Sequence, residues 1–243
     1  MYKNEFPFFE KYKAFAEPWP WNADRKKWDA LMKDSTWLLG LNYVIVMPVL
    51  GFINYLTDTE LTFDTEIDGI PSPAKFIAQV VFCAIVEDFV FHISHRMLHT
   101  PWLYQNIHKI HHRYNPTVFC ASAFAHPLEL VFGNILPASV GVILLGKNMH
   151  MTAVIGWFIV RGYESNEGHC GYEFSWSPFR WLPFGTDYGY HAYHHLYSTG
   201  NYSSFFSIWD TVCGTNDMYK KYLKEFAKEY HHVDGKKDSK KVK

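Results

Sequence analysis

The 243-residue sequence has only four cysteines, Cys83, Cys120, Cys170 and Cys213, and no two of them stand in a C-x-x-C spacing. Neither a disulfide scaffold nor a cysteine-based zinc site is therefore indicated, and a reducing, cytosol-facing chemistry fits. Positive charge is not in excess either. The 23 Lys and Arg face 24 Asp and Glu for a net charge of -1, which removes the electrostatic basis for a nucleic-acid partner. Residues 1–36 hold seven basic residues mixed with acids and no apolar run of signal-peptide type, so no cleavable signal is expected. H-E-x-x-H is absent, and a zincin protease loses its general base. No internal repeat of solenoid length occurs. What the chain has in abundance is aromatic residues, at 19%, and histidine, with 14 in all, twelve of them between His92 and His195.

From Trp37 to Thr57 no charged residue interrupts WLLGLNYVIVMPVLGFINYLT. At 1.5 Å per residue such a helix reaches across a hydrocarbon core of about 30 Å. Beyond it, Asp58, Glu60, Asp64, Glu66 and Asp68 occur without a Lys or Arg through residue 70, against seven basic residues before it. The positive-inside rule puts the N-terminus in the cytosol and this loop in the lumen. After Pro71 and Pro73 a second apolar segment returns the chain, turning polar at Glu87 and Asp88 and then rich in histidine. Leu130 to Gly146 and Met149 to Val160, joined by Lys147 and Asn148, read as a helical hairpin at about 128–161 that starts and ends on the cytosolic side. The expected fold is all-α. It is an integral membrane protein with about four membrane-embedded helices and a cytosolic, helical, histidine-rich metal-site domain. Residues 1–36 form an aromatic-rich cytosolic segment, 37–99 two transmembrane helices, and 219–243 an amphipathic helix, with Met218, Tyr222, Phe226 and Tyr230 on one face, plus a basic tail.

His95 and His99 form H-x-x-x-H, which on a helix sets two imidazoles one turn apart on one face. His108, His111 and His112 form H-x-x-H-H, and the pattern recurs at His191, His194 and His195. At this histidine content one H-x-x-H-H is expected by chance about 0.05 times, so two together are not accidental. Neutral imidazole is a strong ligand for iron and zinc, and one ion takes four to six donors. Eight clustered histidines imply two metals, more than a haem or a single hydrolytic zinc would use. A dinuclear non-haem iron centre that activates dioxygen uses the whole set; a zinc-binding, non-oxidative membrane protein is the alternative from another class.

HRMLH, HKIHH, AFAHPLE, GHCGYEF, HAYHH and NYSSFFSIWDTVCGT, in this order, resemble the membrane-bound fatty acid hydroxylase superfamily, also called the sterol desaturase family, over about residues 80–218. The full set is most similar to its C4-methylsterol monooxygenase branch. The resemblance implies an endoplasmic-reticulum membrane enzyme with a histidine-bound di-iron site facing the cytosol, the side on which the charge pattern and helix count place both termini. It further implies oxidation of a sterol C4-methyl group with O2, with electrons arriving through cytochrome b5 from an NAD(P)H reductase. Other members would act on a sterol side chain, a fatty acid or an alkyl lipid. Carried over by motif, the ligands are His95, His99, His108, His111, His112, His169, His191, His194 and His195, with no catalytic side chain beyond the metal centre. Where fatty acid hydroxylases place a further histidine, four residues before His169, this chain has Ser165, leaving Glu164 or water to complete the shell.

The remaining candidates act around that set. His92 shares the helix face of His95 and His99, and His126 belongs to the H-P-L-E element; both suit a role beside the ligands or the substrate. Asp88, Glu129 and Asp210 are carboxylates able to accept the outer N–H of a ligand imidazole. His150 falls at the lumenal turn, and His231 and His232 on a solvent-exposed face. Tyr163, Tyr172, Phe174, Trp176, Phe179, Trp181 and Phe184 suit interfacial anchoring, a substrate wall or plain packing. Lys240 and Lys241 in the terminal KKVK match a dilysine retrieval signal.

Overall fold

The computed structural model describes residues 7–15, 18–56 and 63–233. Its helices of six or more residues are α1 (Arg25–Leu41), α2 (Met47–Leu56), α3 (Pro73–Leu98), α4 (Pro101–Asn106), α5 (Leu136–Leu145), α6 (Met151–His169), α7 (Tyr188–Tyr197), α8 (Ile208–Cys213) and α9 (Asp217–Val233). Among the described residues there are isolated bridges but no β-strand.

Asp24 caps α1 by accepting the Lys27 N–H at 3.0 Å. The helix passes through a π turn, Asn42–Val46, directly into α2. It thus begins twelve residues before the uncharged run, inside the segment expected to precede the membrane helix. The inner stripe is narrow: Trp28, Leu31, Ser35 and Asn42 are buried, while Trp37, Val44, Phe52 and Leu56 are exposed. Water rejects that surface and hydrocarbon accepts it.

α3 starts at Ser72, whose hydroxyl accepts the Lys75 N–H, with Pro73 in the first turn. Its 26 residues extend about 39 Å, more than a hydrocarbon core needs. A one-turn helix, Pro127–Glu129, and a π segment, Leu130–Ile135, lead into α5. α5 packs against α3 so closely that a Cβ on Gly141 would stand 2.8 Å from the Cys83 Cα; only glycine permits that approach. Cys83, Val142, Ala153, Trp157 and Phe205 fill the core between α3, α5 and α6, and Trp157 Nε1 donates to the Ala138 carbonyl at 2.8 Å.

Three helical stretches, Arg25–Phe52, Pro73–Leu98 and Pro127–Asn148, are long and apolar enough to cross a membrane. The sequence reading expected about four. The fourth segment, α6, has sufficient length but carries Arg161, Glu164 and Glu167 in its second half. It runs back beside α3 and α5 all the same. His150 at its start donates from Nε2 to the Glu66 carbonyl at 3.1 Å, and Gln79 Nε2 donates to the Asn148 carbonyl at 2.7 Å. The acidic loop and the hairpin turn therefore share one end of the bundle, and the histidine motifs lie at the other.

An aromatic cluster of Trp19, Trp28, Tyr114 and Phe124 ties the N-terminal segment to the histidine end. α9 packs on α7 through Tyr219 and Tyr222, whereas Met218 is exposed. Asp58, Glu60, Lys240 and Lys241, and the side chains of Phe226, Tyr230, His231 and His232, lie outside what is described.

Candidate metal centre

Nine histidines converge where α3, α6, α7 and the 3-10 turn His108–Arg113 meet. They form two groups. His95, His99, His108, His112 and His194 make one, His111, His169, His191 and His195 the other, and within each group one nitrogen per ring lies within 4.8 Å of all the rest. Each H-x-x-H-H motif is divided between them. The i, i+4 pair His108 and His112 enters the first group and His111 the second; His191 and His195 enter the second and His194 the first.

The outer nitrogens fix the tautomers. Nδ1 of His95, His99 and His194 donates to the carbonyls of Tyr202, Ser198 and Gly200 at 2.9, 3.1 and 2.7 Å. Nδ1 of His111 and His169 donates to the carbonyls of Phe124 and Ser165 at 3.3 and 2.7 Å, and that of His108 to Glu129 Oε1 at 2.8 Å. A neutral ring that donates from Nδ1 bears a lone pair on Nε2. Yet Nε2 atoms of such rings face one another: His95 and His108 at 3.2 Å, His99 and His194 at 3.1 Å, His111 and His169 at 3.3 Å. No proton is left to join these pairs. Two donors each about 2.1 Å from one ion stand about 3.0–3.4 Å apart at octahedral or tetrahedral angles. The groups therefore have the spacing and the charge requirement of two cation sites, and nitrogen-rich ligation suits iron or zinc.

Burial sets the same preference. Loss of water holds His99 and His111 down at about 4, and His112, with His111 and His99 beside it as well, at about 2. Burial and neighbouring imidazoles hold His191, His194 and His195 well below the ordinary histidine value. The rings are kept in the neutral form that ligates.

The loop after α7 is what the sequence motifs did not announce. Ser198, Gly200 and Asn201 adopt φ of 53°, 69° and 53°, left-handed values that turn the backbone so that Ser198, Gly200 and Tyr202 each present a carbonyl to a different histidine. A Cβ on Gly200 would lie 2.4 Å from the Thr215 carbonyl oxygen. The loop is held from beneath by two buried carboxylates. Asp210 accepts the N–H of Tyr202 and Ser203 at 3.0 and 2.8 Å and the Tyr190 hydroxyl at 2.7 Å, and Asp88 accepts the N–H of Ser204 and Phe206 at 2.9 and 3.2 Å. Of the three carboxylates considered as imidazole acceptors, Glu129 meets a grouped histidine directly, whereas Asp88 and Asp210 grip the loop. In the sequence the loop is marked by the turn chemistry of Gly200 and Asn201 and by the motif that begins at Asn201, neither of which says where its carbonyls point.

His92 lies outside both groups, with Nδ1 3.3 Å from Ser203 Oγ and 3.5 Å from Asp210 Oδ1. His126 caps the helix at Pro127, its Nδ1 accepting the Leu128 N–H at 3.2 Å. Glu164 accepts from Arg161 Nη1 at 2.8 Å, and Arg161 also reaches the buried Glu87 at 2.6 Å. His150 caps α6 at the far end. Phe179 borders the cavity beside the histidines, whereas Tyr172 and Phe174 pack on Phe9 and Tyr12, and Trp181 and Phe184 are exposed. That cavity, of about 50 Å³, also touches His95, His111, His169, Leu98 and Gly133.

The fatty acid hydroxylase family matches residues 80–215, which hold all nine histidines. Methylsterol monooxygenase 2-2 of Arabidopsis thaliana is 42% identical over 161 residues, covering 64% of this chain and 59% of that protein. A very-long-chain aldehyde decarbonylase of Oryza sativa subsp. japonica is 39% identical over 186 residues, covering 75% and 68%. Methylsterol monooxygenase 1 of Rattus norvegicus is 29% identical over 225 residues, covering 91% and 72%. The chain spans about three-fifths of the length of the Arabidopsis methylsterol monooxygenases it matches. No solved structure matches it.

Proposed function

The chain belongs to the fatty acid hydroxylase family, and on that footing we propose that it is a membrane-bound, O2-dependent non-haem di-iron oxygenase that oxidises the C4-methyl group of a sterol. The observation that carries the proposal is the facing of Nε2 lone pairs within each of the two histidine groups, which a cation in each would reconcile. His95, His99, His108, His112 and His194 would hold one ion, and His111, His169, His191 and His195 the other. The second group is one donor shorter, with Ser165 engaging His169 through its carbonyl and Glu164 committed to Arg161. Bound there, iron supplies the activation of O2 that side chains cannot.

The net reaction converts C–H, O2, two electrons and two protons to C–OH and water. The chain's own contribution is orientation and exclusion. Carbonyls of the 198–202 loop and Glu129 hold the rings against rotation. Phe91, Leu98 and Phe179 line the cavity with hydrocarbon, and Glu164 and Glu167, which also line it, are groups through which protons can be exchanged. Electrons would come from a cytochrome b5-type donor and its NAD(P)H reductase on the cytosolic side. The histidine end would face the cytosol in an endoplasmic-reticulum membrane, with both termini on that side; this follows from the charge asymmetry of the first span and the shared far end of the acidic loop and hairpin turn.

Methylsterol monooxygenases among the relatives support the sterol. The aldehyde decarbonylase relative favours a second reading, in which a long-chain aldehyde is the substrate. Expression in a host lacking C4-methylsterol oxidation decides between them. Clearance of accumulated 4-methyl and 4,4-dimethyl sterols is expected; their persistence beside iron-loaded protein, with aldehyde consumed instead, would establish the second reading.

A further inference from the structure

A second and larger cavity lies beside the histidine site. It is a groove of about 510 Å³ between the last turns of α3, the helix α4 and the π segment before α5. Ile93 and Met97 line it from α3, Phe132 and Leu136 from the segment that leads into α5, and the exposed Trp102 from α4. Ser94 spends its hydroxyl on the Phe91 carbonyl at 3.1 Å, and apart from the Trp102 indole N–H the other lining side chains are hydrocarbon or thioether. Ile93, Met97, Phe132 and Leu136 are each more than two-fifths exposed, and they lie on two of the membrane-crossing helices. The groove is therefore continuous with the lipid-facing surface.

Leu98 lines both this groove and the histidine cavity. It is buried, and it directly precedes His99 in the chain. Gly133, on the cavity side, leaves it room: a Cβ there would come within 3.1 Å of Leu98 Cδ1. One side chain thus stands between a volume open to the bilayer and the histidine groups.

The shape argues for a compact occupant. The volume of about 510 Å³ is bounded by side chains from three stretches, residues 90–98, 102–107 and 128–136, so the groove is wider than the slot between two packed helices. An extended alkyl chain is one carbon wide, about 4 Å at van der Waals contact, and leaves much of that width empty, at a cost in lost packing. A fused-ring body fills it, and the volume falls within the about 300–1,000 Å³ of small-molecule sites.

We propose that the ring system of a sterol lies in this groove, with Leu98 as the specificity-determining partition past which the reacting methyl carbon reaches the histidine cavity. The proposal rests on the oxidative reading above for what happens beyond Leu98, but binding in the groove needs no metal.

The test uses the full chain, stripped of metal, in phosphatidylcholine nanodiscs with two photoreactive probes: a 4,4-dimethyl sterol with a diazirine in its rings, and a diazirine-bearing long-chain fatty alcohol. The sterol is expected to label residues 90–103 and 128–136, with unlabelled 4,4-dimethyl sterol displacing it and the fatty alcohol failing to do so. Labelling spread evenly over the exposed faces of α2, α3 and α6, or equal occupancy by the alcohol, would overturn the assignment. Because the labelling is read without metal, a failure of the oxidative reading leaves it intact, and a failure of the groove leaves turnover intact. In the iron-loaded protein, Leu98→Phe should retain the labelling but lower sterol kcat by at least about tenfold with KM little changed, as expected when a bound substrate is held short of the reacting position. Leu98→Val should recover it, and Phe158→Trp, on an exposed face away from the groove, should be silent. Unchanged kcat in a folded Leu98→Phe protein that still labels would remove Leu98 from the path.

Discussion

Glu129 Oε1 accepts a hydrogen bond from His108 Nδ1 at 2.8 Å, with both side chains buried, and the opposite nitrogen of that ring points into the five-histidine group. Among the described residues the other Nδ1 contacts of the grouped histidines go to backbone carbonyls and, for His112, to the Ser198 hydroxyl, and His108 is the one grouped histidine paired with a carboxylate. A carboxylate partner fixes the tautomer and raises the basicity of the metal-facing nitrogen. Glu129→Gln keeps the shape and removes the charge. Metal affinity of the five-histidine group should fall about 10–100-fold, read by competition with a chelator, while the helical circular dichroism stays unchanged. An unaltered affinity would show that the bond is only packing.

Gly200→Ala tests the loop. At φ 69°, with the Thr215 carbonyl 2.4 Å from the site of a Cβ, the substitution forces the backbone to move. A cost of about 1–3 kcal/mol in stability is expected, together with weaker metal binding, because the Gly200 carbonyl orients His194. Denaturant midpoints and metal titration measure the two effects; a stability loss with metal binding unaffected would separate the loop from the centre.

His150 is a histidine of a different kind. It caps α6 and bonds to the Glu66 carbonyl, at the end of the bundle away from the two groups. His150→Ala should cost about 1 kcal/mol through the lost cap and leave metal content at the wild-type level. Loss of metal from this variant would contradict the placement of the hairpin turn.

Acid should weaken the metal-free protein in a defined direction. Unfolded histidines titrate near about 6.5, whereas the folded chain holds His99 and His111 at about 4 and His112 at about 2. Between those values the unfolded state binds more protons, so stability is full above the unfolded value and falls as pH drops toward 4. Thermal unfolding of chelator-treated protein across that range measures it. Metal should be released in the same direction, since protons compete for the same nitrogens. A stability that rose on acidification would contradict neutral, buried imidazoles.

The histidine motifs were legible because an i, i+4 pair is a geometric statement in itself: His95 with His99, and His191 with His195, share a helix face before any tertiary contact exists. How the H-x-x-H-H triplets divide between the two groups was not. His108 to His112 form a 3-10 turn, not an α-helical face, and the middle histidine of each triplet serves the opposite group. The membrane spans were legible as uncharged runs, but the start of the first was not, because Arg25, Lys26, Lys27, Asp29 and Lys33 interrupt its first turns with charge while only Trp28 and Leu31 pack inward. α6 is apolar only as far as Val160 and stays helical through Arg161, Glu164 and Glu167 to His169, so its second half carries no membrane signal in the sequence. The carbonyls of the 198–202 loop were hidden for a simple reason. A backbone acceptor has no residue type, and only the left-handed conformations of Ser198, Gly200 and Asn201 reveal where it points.

Metal stoichiometry in the purified, membrane-extracted protein tests the central claim most directly. Elemental analysis should give two iron ions per chain after iron loading. His194→Ala and His111→Ala, one from each group, should each lower that count and abolish O2-dependent lipid oxidation while the protein still inserts and folds. One ion per chain, or stoichiometric zinc in cells replete with iron and no O2 consumption, would contradict the two-site oxidative account.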